Sequence, residues 1–345
     1  MSAERPILVF TQGDPAGIGP EILLKVGTEP WIVESCRPLM VMEEAAIESL
    51  RPRLPDGHER FEIFDAVPVD LEAVWQRGGI PVLDPRPATG RTVVPGKPNR
   101  DDGIGALAAL DIGIRLANDG PAEALVTAPL NKAEIARHVT EDFRGHTDYL
   151  AAQAGLGNEE GSGYGEHYLM AFLAPDLKVA LLSTHISLSE AIERVTKERV
   201  LAALRCMGRH TRGKILVAGL DPHAGEGGLI GTRDDAEVRP AVEQARREGI
   251  DVGGPESADS LFARAQRGAC DWVLALYHDQ GLIGLKTAAF GDATNWTLGL
   301  PYIRTSVDHG TAYDIAGRNM ADPSSLRAVV KTTLELVAEK TGHLA

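Results

Sequence analysis

The sequence predicts an α/β protein, and three observations lead to that class. Apolar runs of strand length alternate with longer segments that have the amphipathic spacing of helices. Several of the strand-like runs end in short loops of glycine or polar residues, as parallel strands do at the functional edge of a sheet. The chain of 345 residues also exceeds the roughly 250–300 residues at which single hydrophobic cores stop growing. We therefore expect two lobes with largely parallel strands.

The predicted elements follow one another along the whole chain. The runs with the strongest apolar and β-branched content predict strands over residues 6–10, 123–128, 178–184, 214–219 and 272–277. Apolar residues spaced three and four apart predict helices over residues 103–119, 189–208, 239–249 and 324–340. The proline-rich stretch 83–99 interrupts the alternation and predicts a long connection.

The charge balance excludes some partners. The chain has 35 basic and 49 acidic residues, a formal net charge of −14. Nucleic acid needs a basic surface, so we expect no nucleic-acid partner. The sequence also lacks a long apolar span and a secretion signal, and its three cysteines are widely scattered. We expect a cytoplasmic protein without membrane attachment, whose site for any anionic substrate carries its own cations.

Three histidines directly follow predicted strands. His185, His223 and His278 each lie in the loop after a strand. Because parallel strands end at the same edge of a sheet, the three imidazoles could converge there. Convergent imidazoles suit a borderline divalent metal such as Zn²⁺ with an open position for substrate. A single histidine at a strand end is more often a hydrogen-bonding loop residue, and the pattern alone leaves both interpretations open.

Two glycine-rich loops also follow strands. "GLDPHAGEGG", residues 219–228, places His223 among four glycines, which indicates unusual backbone angles or a close approach. "GDPAGIGPEI", residues 13–22, has its glycines in a G-x-x-x-G-x-G order. That order differs from the G-x-G-x-x-G dinucleotide fingerprint, so a Rossmann site is not predicted. A tight turn between strand and helix is the alternative for this loop.

Candidate ligands for an anion lie in two places. Lys286, Asn295 and Arg304 fall within a region poor in other cations, and together they would make a clamp for phosphate or carboxylate. "GHTDYL" supplies His146 and Thr147, although Thr147 would equally serve as a helix N-cap.

Taken in order, these motifs point to one family. The segments "GDPAGIGPEI", "PGKP", "TAPLNK", "GHTDYL", "STHISL", "GLDPHAGEGG", "LYHDQG" and "GLPYIRTSVDHGTAYDIAG" span about residues 11 to 317. Together they resemble the 4-hydroxythreonine-4-phosphate dehydrogenase family of vitamin B6 (pyridoxine) biosynthesis. The resemblance implies a fold like those of isocitrate and isopropylmalate dehydrogenases. That fold has two α/β lobes with a cleft between them, and the family forms homodimers whose sites lie at the dimer interface.

The resemblance also assigns the lobes and the ligands. Residues 1–120 with 285–345 would form the lobe on the nucleotide side, and residues 121–284 would form the lobe with the metal histidines and the dimer contact. A divalent metal, zinc or else magnesium, manganese or cobalt, would be held by histidines from both subunits. These metal ligands are His185, His223 and His278.

The remaining roles carry over in the same way. The residues that would bind substrate are His146, Thr147, Lys286, Asn295 and Arg304. The residues that would bind NAD or NADP are Asp308, His309, Gly310 and Thr311. The residues that would act in catalysis are Lys286, His146 and Asp259, the last at an acidic position near the metal. The general base is left open between Lys286 and a metal-linked water.

The reaction implied by the resemblance is oxidation of a secondary alcohol of a 4-phosphorylated hydroxy acid by NAD(P), followed by decarboxylation. "TAPLNK" departs from the "TAPVHKG" of the enzymes dedicated to vitamin B6. It is closer to the related dehydrogenases of 4-phospho-D-threonate and 4-phospho-D-erythronate in sugar-acid catabolism, which are the alternative. Trp296 beside Asn295 is expected to reshape the pocket. A metal-dependent lyase or hydrolase without redox chemistry, or a ligand-binding protein, are further alternatives on this fold.

Overall fold

A computed structural model of the protein describes residues 5–53, 56–68, 70–87, 90–141, 143–157, 163–289 and 291–342. The strands in this part of the chain are β1 Ile7–Thr11, β2 Arg37–Val41, β3 Phe61–Phe64, β4 Ile80–Leu83, β5 Ala124–Thr127, β6 Leu169–Ala174, β7 Leu177–Leu181, β8 Ile215–Ala218, β9 Val252–Glu256, β10 Trp272–Ala275, β11 Thr294–Leu298 and β12 Ile303–Ser306. The helices are α1 Gly19–Gly27, α2 Pro30–Ser35, α3 Glu44–Leu50, α4 Leu71–Gln76, α5 Arg100–Asn118, α6 Lys132–His138, α7 His146–Gln153, α8 Leu188–Glu193, α9 Lys197–His210, α10 Arg239–Arg247, α11 Ala258–Ala265, α12 His278–Ala288 and α13 Ser324–Thr341.

The chain divides into two compact units. The first unit contains residues 1–149 and 301–345, and the second contains residues 150–300. Both boundaries differ from the predicted ones, 120/121 and 284/285. Residues 121–149 belong to the first unit because β5 hydrogen-bonds to both β1 and β12. Residues 285–300 belong to the second because α12 continues to Ala288 and β11 pairs with β6.

The first unit contains a six-stranded parallel sheet in the order β3-β4-β2-β1-β5-β12. The strands β1 and β5 at its centre are almost fully buried. Strands covered on both faces read as continuous apolar runs, which is why these two were predictable. After β1 the chain turns to β2 on one side, whereas β5 lies on the other. The carboxyl ends of β1 and β5 therefore form a topological switch point, where open α/β sheets bind ligands.

The second unit contains strands in the order β11-β6-β7-β10-β8-β9. The four strands β7, β10, β8 and β9 are parallel, whereas β6 is antiparallel to both β7 and β11. The predicted strands at 178–184, 214–219 and 272–277 are confirmed as β7, β8 and β10. The α/β class with mostly parallel strands is likewise confirmed.

Most predicted helices are confirmed, and one is divided. The segment 189–208 forms α8 and α9, not one helix. The break occurs at Thr196, whose side chain accepts a hydrogen bond from the Arg199 backbone N–H and so caps the start of α9. None of the helices in the described residues is both long and apolar enough to cross a membrane.

A buried ionic network fixes the long connection after β4. Arg91 lies 2.6 Å from Glu43 at the end of β2 and 2.8 Å from Asp102 in the first turn of α5. Gln12 donates a 2.9 Å hydrogen bond to the same Glu43 carboxylate. Burial raises the pKa of Glu43 to about 7, although Arg91 and Gln12 oppose the shift. The network needs space in α5, where a Cβ on Gly105 would collide with Glu43 Oε1.

Two glycines of α5 should therefore respond oppositely to alanine. Gly105→Ala would push the Glu43 carboxylate from its partners, and we expect a loss of about 1–3 kcal/mol in the free energy of unfolding. Gly103→Ala meets only ordinary contacts of 3.4–3.5 Å, and we expect a gain of up to about 1 kcal/mol from helix propensity. Urea unfolding of the two variants measures both values. Equal effects would show that Glu43 adapts without cost.

Candidate functional site

Two of the predicted metal ligands lie close together in the second unit. His185 follows β7 and His278 begins α12, and their ring centroids are 5.5 Å apart. The Nδ1 atom of His278 lies 2.7 Å from Asp279 Oδ1. Metal-binding histidines commonly engage a carboxylate through the nitrogen that does not bind the metal. The pair therefore fits a cation that prefers nitrogen donors, with His278 Nε2 on the side away from Asp279.

The third histidine lies in a loop with an unusual backbone. Residues 223–227 all have left-handed angles, with φ of 54° at His223, 50° at Ala224 and 47° at Glu226. Such angles are costly for residues other than glycine, and they persist only where the surrounding structure enforces them. The side chain of His223 is exposed.

Asp259 lies near this loop on α11. The Ser257 hydroxyl donates a 2.6 Å hydrogen bond to the Asp259 carboxylate and lowers its pKa, and His223 lowers it further. The predicted acidic position is thus within electrostatic reach of His223.

Across the described ranges, no three His, Cys, Asp or Glu residues form a group that could hold a metal ion. The chain brings His185 to His278, whereas His223 belongs to no such group. The family resemblance implies ligands from both subunits, and the convergence of all three remains a prediction.

A cluster of basic side chains lies in the first unit. Arg304 on β12 is buried, and its Nη2 atom donates a 2.6 Å hydrogen bond to Thr127 Oγ1 at the end of β5. Burial lowers the pKa of Arg304 to about 9. A buried guanidinium gains from a neighbouring negative charge, which a phosphate or carboxylate ligand would provide.

His146 and Lys132 belong to the same cluster. Burial lowers the pKa of His146 well below its ordinary value, with smaller contributions from Arg304 and Lys132. The imidazole is therefore neutral at neutral pH. Lys132 packs so closely on Gly145 that a Cβ there would lie 2.7 Å from Lys132 Cε. Thr147, the neighbour of His146, is also buried. Lys132 was not singled out from the sequence, although it lies inside the "TAPLNK" motif.

Lys286 and Asn295, the other predicted substrate ligands, lie in the second unit. Lys286 is eight residues after His278 on α12, about 12 Å along the helix axis. Asn295 Oδ1 on β11 is buried and has no hydrogen-bond partner in the part of the chain described. An unsatisfied buried acceptor costs roughly 1–3 kcal/mol, so this oxygen favours a ligand that brings a donor.

Trp296 packs into the core, whereas it is predicted to reshape the pocket beside Asn295. Its ring is buried with a centroid 6.0 Å from that of Trp272. Consecutive side chains of a strand point to opposite faces, so Trp296 and Asn295 diverge. Trp296 thus packs against the core and does not reshape a pocket at Asn295.

The predicted cofactor segment 308–311 is fixed to the glycine-rich loop after β1. The Ile18 backbone N–H donates a 3.0 Å hydrogen bond to Thr311 O, and a Cβ on Gly17 would lie 3.0 Å from that oxygen. The Tyr313 hydroxyl donates to Asp14 at 2.5 Å and accepts from Asn131 Nδ2 at 2.8 Å. The glycines of this loop thus permit close contact between loops. Tyr313 and Asp14 were missed because single polar residues in loops carry no periodic signal.

The neutral state of His146 predicts a pH dependence of stability. Its pKa is lowered in the folded state, whereas the unfolded chain takes up the proton below about pH 6.5. Between about pH 7.5 and about pH 5.5 the protein should lose about 1.4 kcal/mol more unfolding free energy than its His146→Asn variant. Urea unfolding at the two pH values measures this difference, with His58→Asn at an exposed imidazole as control. Equal losses would show that folding does not exclude the proton from His146.

Comparison with known proteins yields a family match and close relatives. The family model "Pyridoxal phosphate biosynthetic protein PdxA" matches residues 34–333. A 4-hydroxythreonine-4-phosphate dehydrogenase of Desulforapulum autotrophicum is 36% identical, and the match covers 96% of this chain and 95% of that relative. A D-threonate 4-phosphate dehydrogenase of Bordetella bronchiseptica is 38% identical, with 99% and 93% covered. The crystal structure of a Klebsiella pneumoniae 4-hydroxythreonine-4-phosphate dehydrogenase superposes with a TM-score of 0.83 at 32% identity, covering 98% and 99% of the two chains.

Proposed function

Because this chain belongs to the family of pyridoxal phosphate biosynthetic protein PdxA, we propose that it oxidises the secondary alcohol of a 4-phosphorylated four-carbon hydroxy acid. The family membership confirms the resemblance carried by the motifs. The observation that supports this substrate class most directly is the buried Arg304 beside the neutral His146 and Lys132. In a chain with a net negative charge, this buried guanidinium supplies the local positive charge that an anionic ligand needs.

The substrate is proposed to be 4-hydroxythreonine 4-phosphate, with 4-phospho-D-threonate or 4-phospho-D-erythronate as the second candidate. A 4-hydroxythreonine-4-phosphate dehydrogenase and a D-threonate 4-phosphate dehydrogenase match this chain at similar identity, 36% and 38%. Asn131 favours the second candidate, since it stands where the vitamin B6 enzymes have histidine. Its Oδ1 atom caps α6 and its Nδ2 atom donates to Tyr313, so the substitution is built into the loop contacts.

The residues of the chain have distinct proposed roles. Arg304 and Lys132 bind the phosphate or carboxylate of the substrate in the first unit. His146, as a neutral imidazole, and the Thr147 hydroxyl orient a polar end of the substrate. Asn295 Oδ1, in the second unit, accepts a hydrogen bond from a substrate donor, and Lys286 contacts the substrate there through its amine.

The reaction needs one proton acceptor and one hydride acceptor. Lys286 is the residue of this chain proposed to take the alcohol proton, and Asp259, within electrostatic reach of His223, is the proposed acid. A nicotinamide dinucleotide, NAD or NADP, accepts the hydride when it is bound at Asp308, His309, Gly310 and Thr311. The resulting β-keto acid then loses its carboxylate as CO₂, the electron pair of the broken C–C bond passes to the ketone oxygen as an enolate, and the enolate carbon takes up a proton.

A divalent metal fits the imidazole donors, and His185, His223 and His278 would hold it. Bound there, it supplies Lewis-acid chemistry that favours loss of the alcohol proton and stabilises negative charge on oxygen. Imidazole ligands favour zinc or cobalt, whereas magnesium prefers oxygen ligands. The 5.5 Å separation of the His185 and His278 rings supports two ligands from one chain, and we assign the third to a second copy.

Exposed apolar side chains support the second copy. Leu188, Ile192, Leu229, Ile230 and Ile283 are between 38% and 86% exposed. They lie on α8, on the loop that carries His223 and on α12. An exposed apolar group of this size on the elements that bear the histidines favours a homodimer contact there. We further place the protein in the cytoplasm, since Cys36, Cys206 and Cys270 form no disulfide.

Turnover tests the proposed activity. The purified protein with zinc or cobalt should reduce NAD⁺ or NADP⁺, seen at 340 nm, with one of 4-hydroxythreonine 4-phosphate, 4-phospho-D-threonate and 4-phospho-D-erythronate. His223→Ala should abolish the rate, whereas His58→Ala at an exposed turn should retain it. Consumption of a substrate without reduction of either nucleotide would favour the lyase or hydrolase alternative.

A mixture of two inactive variants tests the shared site. His185→Ala and His223→Ala should each be inactive alone. Random reassortment makes half of the dimers mixed, and each mixed dimer has one complete site. The mixture should therefore recover about one quarter of the wild-type rate. No recovery after confirmed subunit exchange would place all three ligands in one chain.

A further inference from the structure

The side chain of Gln280 joins the two loops that carry His278 and His223. Its Oε1 atom accepts a 2.7 Å hydrogen bond from the Leu276 backbone N–H, directly after β10. Its Nε2 atom donates a 2.7 Å hydrogen bond to Gly219 O, directly after β8. Gln280 itself lies two residues after His278 on α12. One amide therefore connects the origin of the His278 helix with the origin of the His223 loop.

The same loop is held from its other side by Asp234. This residue is fully buried, and its two carboxylate oxygens accept hydrogen bonds from Leu220 N at 2.8 Å and Asp221 N at 2.9 Å. The Gly219 N–H donates to Glu256 O at 2.7 Å. The backbone just before His223 is thus fixed by groups from three separate elements.

This fixation opposes the cost of the left-handed loop. Left-handed angles cost roughly 1–2 kcal/mol for each residue other than glycine, and three such residues stand between 223 and 227. A loop with that conformational cost relaxes to other backbone angles unless the residues that lead into it are held in place. Gln280 is the contact that ties this entry to the helix of a second metal ligand.

We propose that Gln280 is a positioning residue that holds the His223 loop in place on its own chain, so that His223 reaches the His185–His278 pair of a second copy in one arrangement. This inference rests on the proposed metal-dependent function. A purely structural role for Gln280 would change stability but would leave the affinity and the coordination geometry of the bound metal unchanged.

Gln280→Glu separates the two roles. Glutamate keeps an acceptor for Leu276 N–H but places an acceptor against Gly219 O, so the link to the His223 loop is lost. The added negative charge by itself would strengthen cation binding. Displacement of His223 would instead weaken binding of Co²⁺ to the full-length protein by about 10–100-fold, as large as the effect of losing a group that orients a metal ligand.

The measurement is a Co²⁺ titration against a chelator, with the visible absorption of the bound ion as the report on coordination. Gln266→Glu, an exposed glutamine after α11, carries the same charge change and should bind Co²⁺ as the wild type does. Gln280→Met removes both hydrogen bonds without adding charge and should also weaken binding and change the spectrum. Thermal unfolding of the metal-free proteins confirms that each variant is folded.

The outcomes distinguish this inference from the proposed function. If His185→Ala and His223→Ala reduce Co²⁺ affinity but Gln280→Glu and Gln280→Met do not, Gln280 has no positioning role and the metal site stands. If none of the histidine variants changes Co²⁺ binding, the metal site itself is wrong. Weaker binding with a changed spectrum in both Gln280 variants supports the inference.

Discussion

The pairing of β5 between β1 and β12 is the constraint on which the first unit depends. It brings together three loops from distant parts of the chain, after residues 11, 127 and 306. Arg304 can reach Thr127 because their strands are neighbours in the sheet. The same pairing lets Tyr313 reach both Asp14 and Asn131. The glycines of the first loop then allow these segments to touch.

Charge burial gives this edge of the sheet its chemical character. The chain is strongly acidic, yet it excludes water from Arg304 and thereby lowers the pKa of that guanidinium to about 9. His146 stays neutral next to two cations because its own burial disfavours the proton. Both shifts have desolvation as their main cause, so an anion entering the cluster would meet a guanidinium with little competing hydration. In the protein without a bound anion, this arrangement costs folding free energy, because the buried charge of Arg304 has lost its hydration.

The sequence predicted those parts of the fold whose signals are local and strong. The central strands β1, β5, β7, β8 and β10 are continuous apolar runs, and their positions followed from burial on both faces. The strand β9 contains two glycines and a proline, so its residues have no strand-like pattern and only pairing with β8 defines it. The bounds of the two compact units differ from the predicted lobes for a similar reason, because they depend on which strands pair.

The candidate site, like the fold, was predictable only where the sequence has a local signal. The motifs identified the histidines and the candidate anion ligands by residue type, and the proximity of His185 to His278 follows from the parallel neighbours β7 and β10. Hydrogen bonds to residues distant in the chain define the roles of Gln280, Asp234 and Tyr313. The spacing of residues along the sequence does not predict such contacts. The divergence of Trp296 from Asn295 was available from the alternation of side chains along a strand, once β11 was known.

The discontinuous first unit has a consequence for how the protein is made. Residues 150–300 leave the ribosome as one block, whereas the partner strand of β5 is synthesised only when residues 303–306 emerge. Until then β5 has a bare hydrogen-bonding edge made of apolar residues, the kind of surface at which nascent chains associate wrongly. Translation that stops before β12 would leave the half-built sheet as a substrate for chaperones or proteases, even though more than four-fifths of these 345 residues have been made.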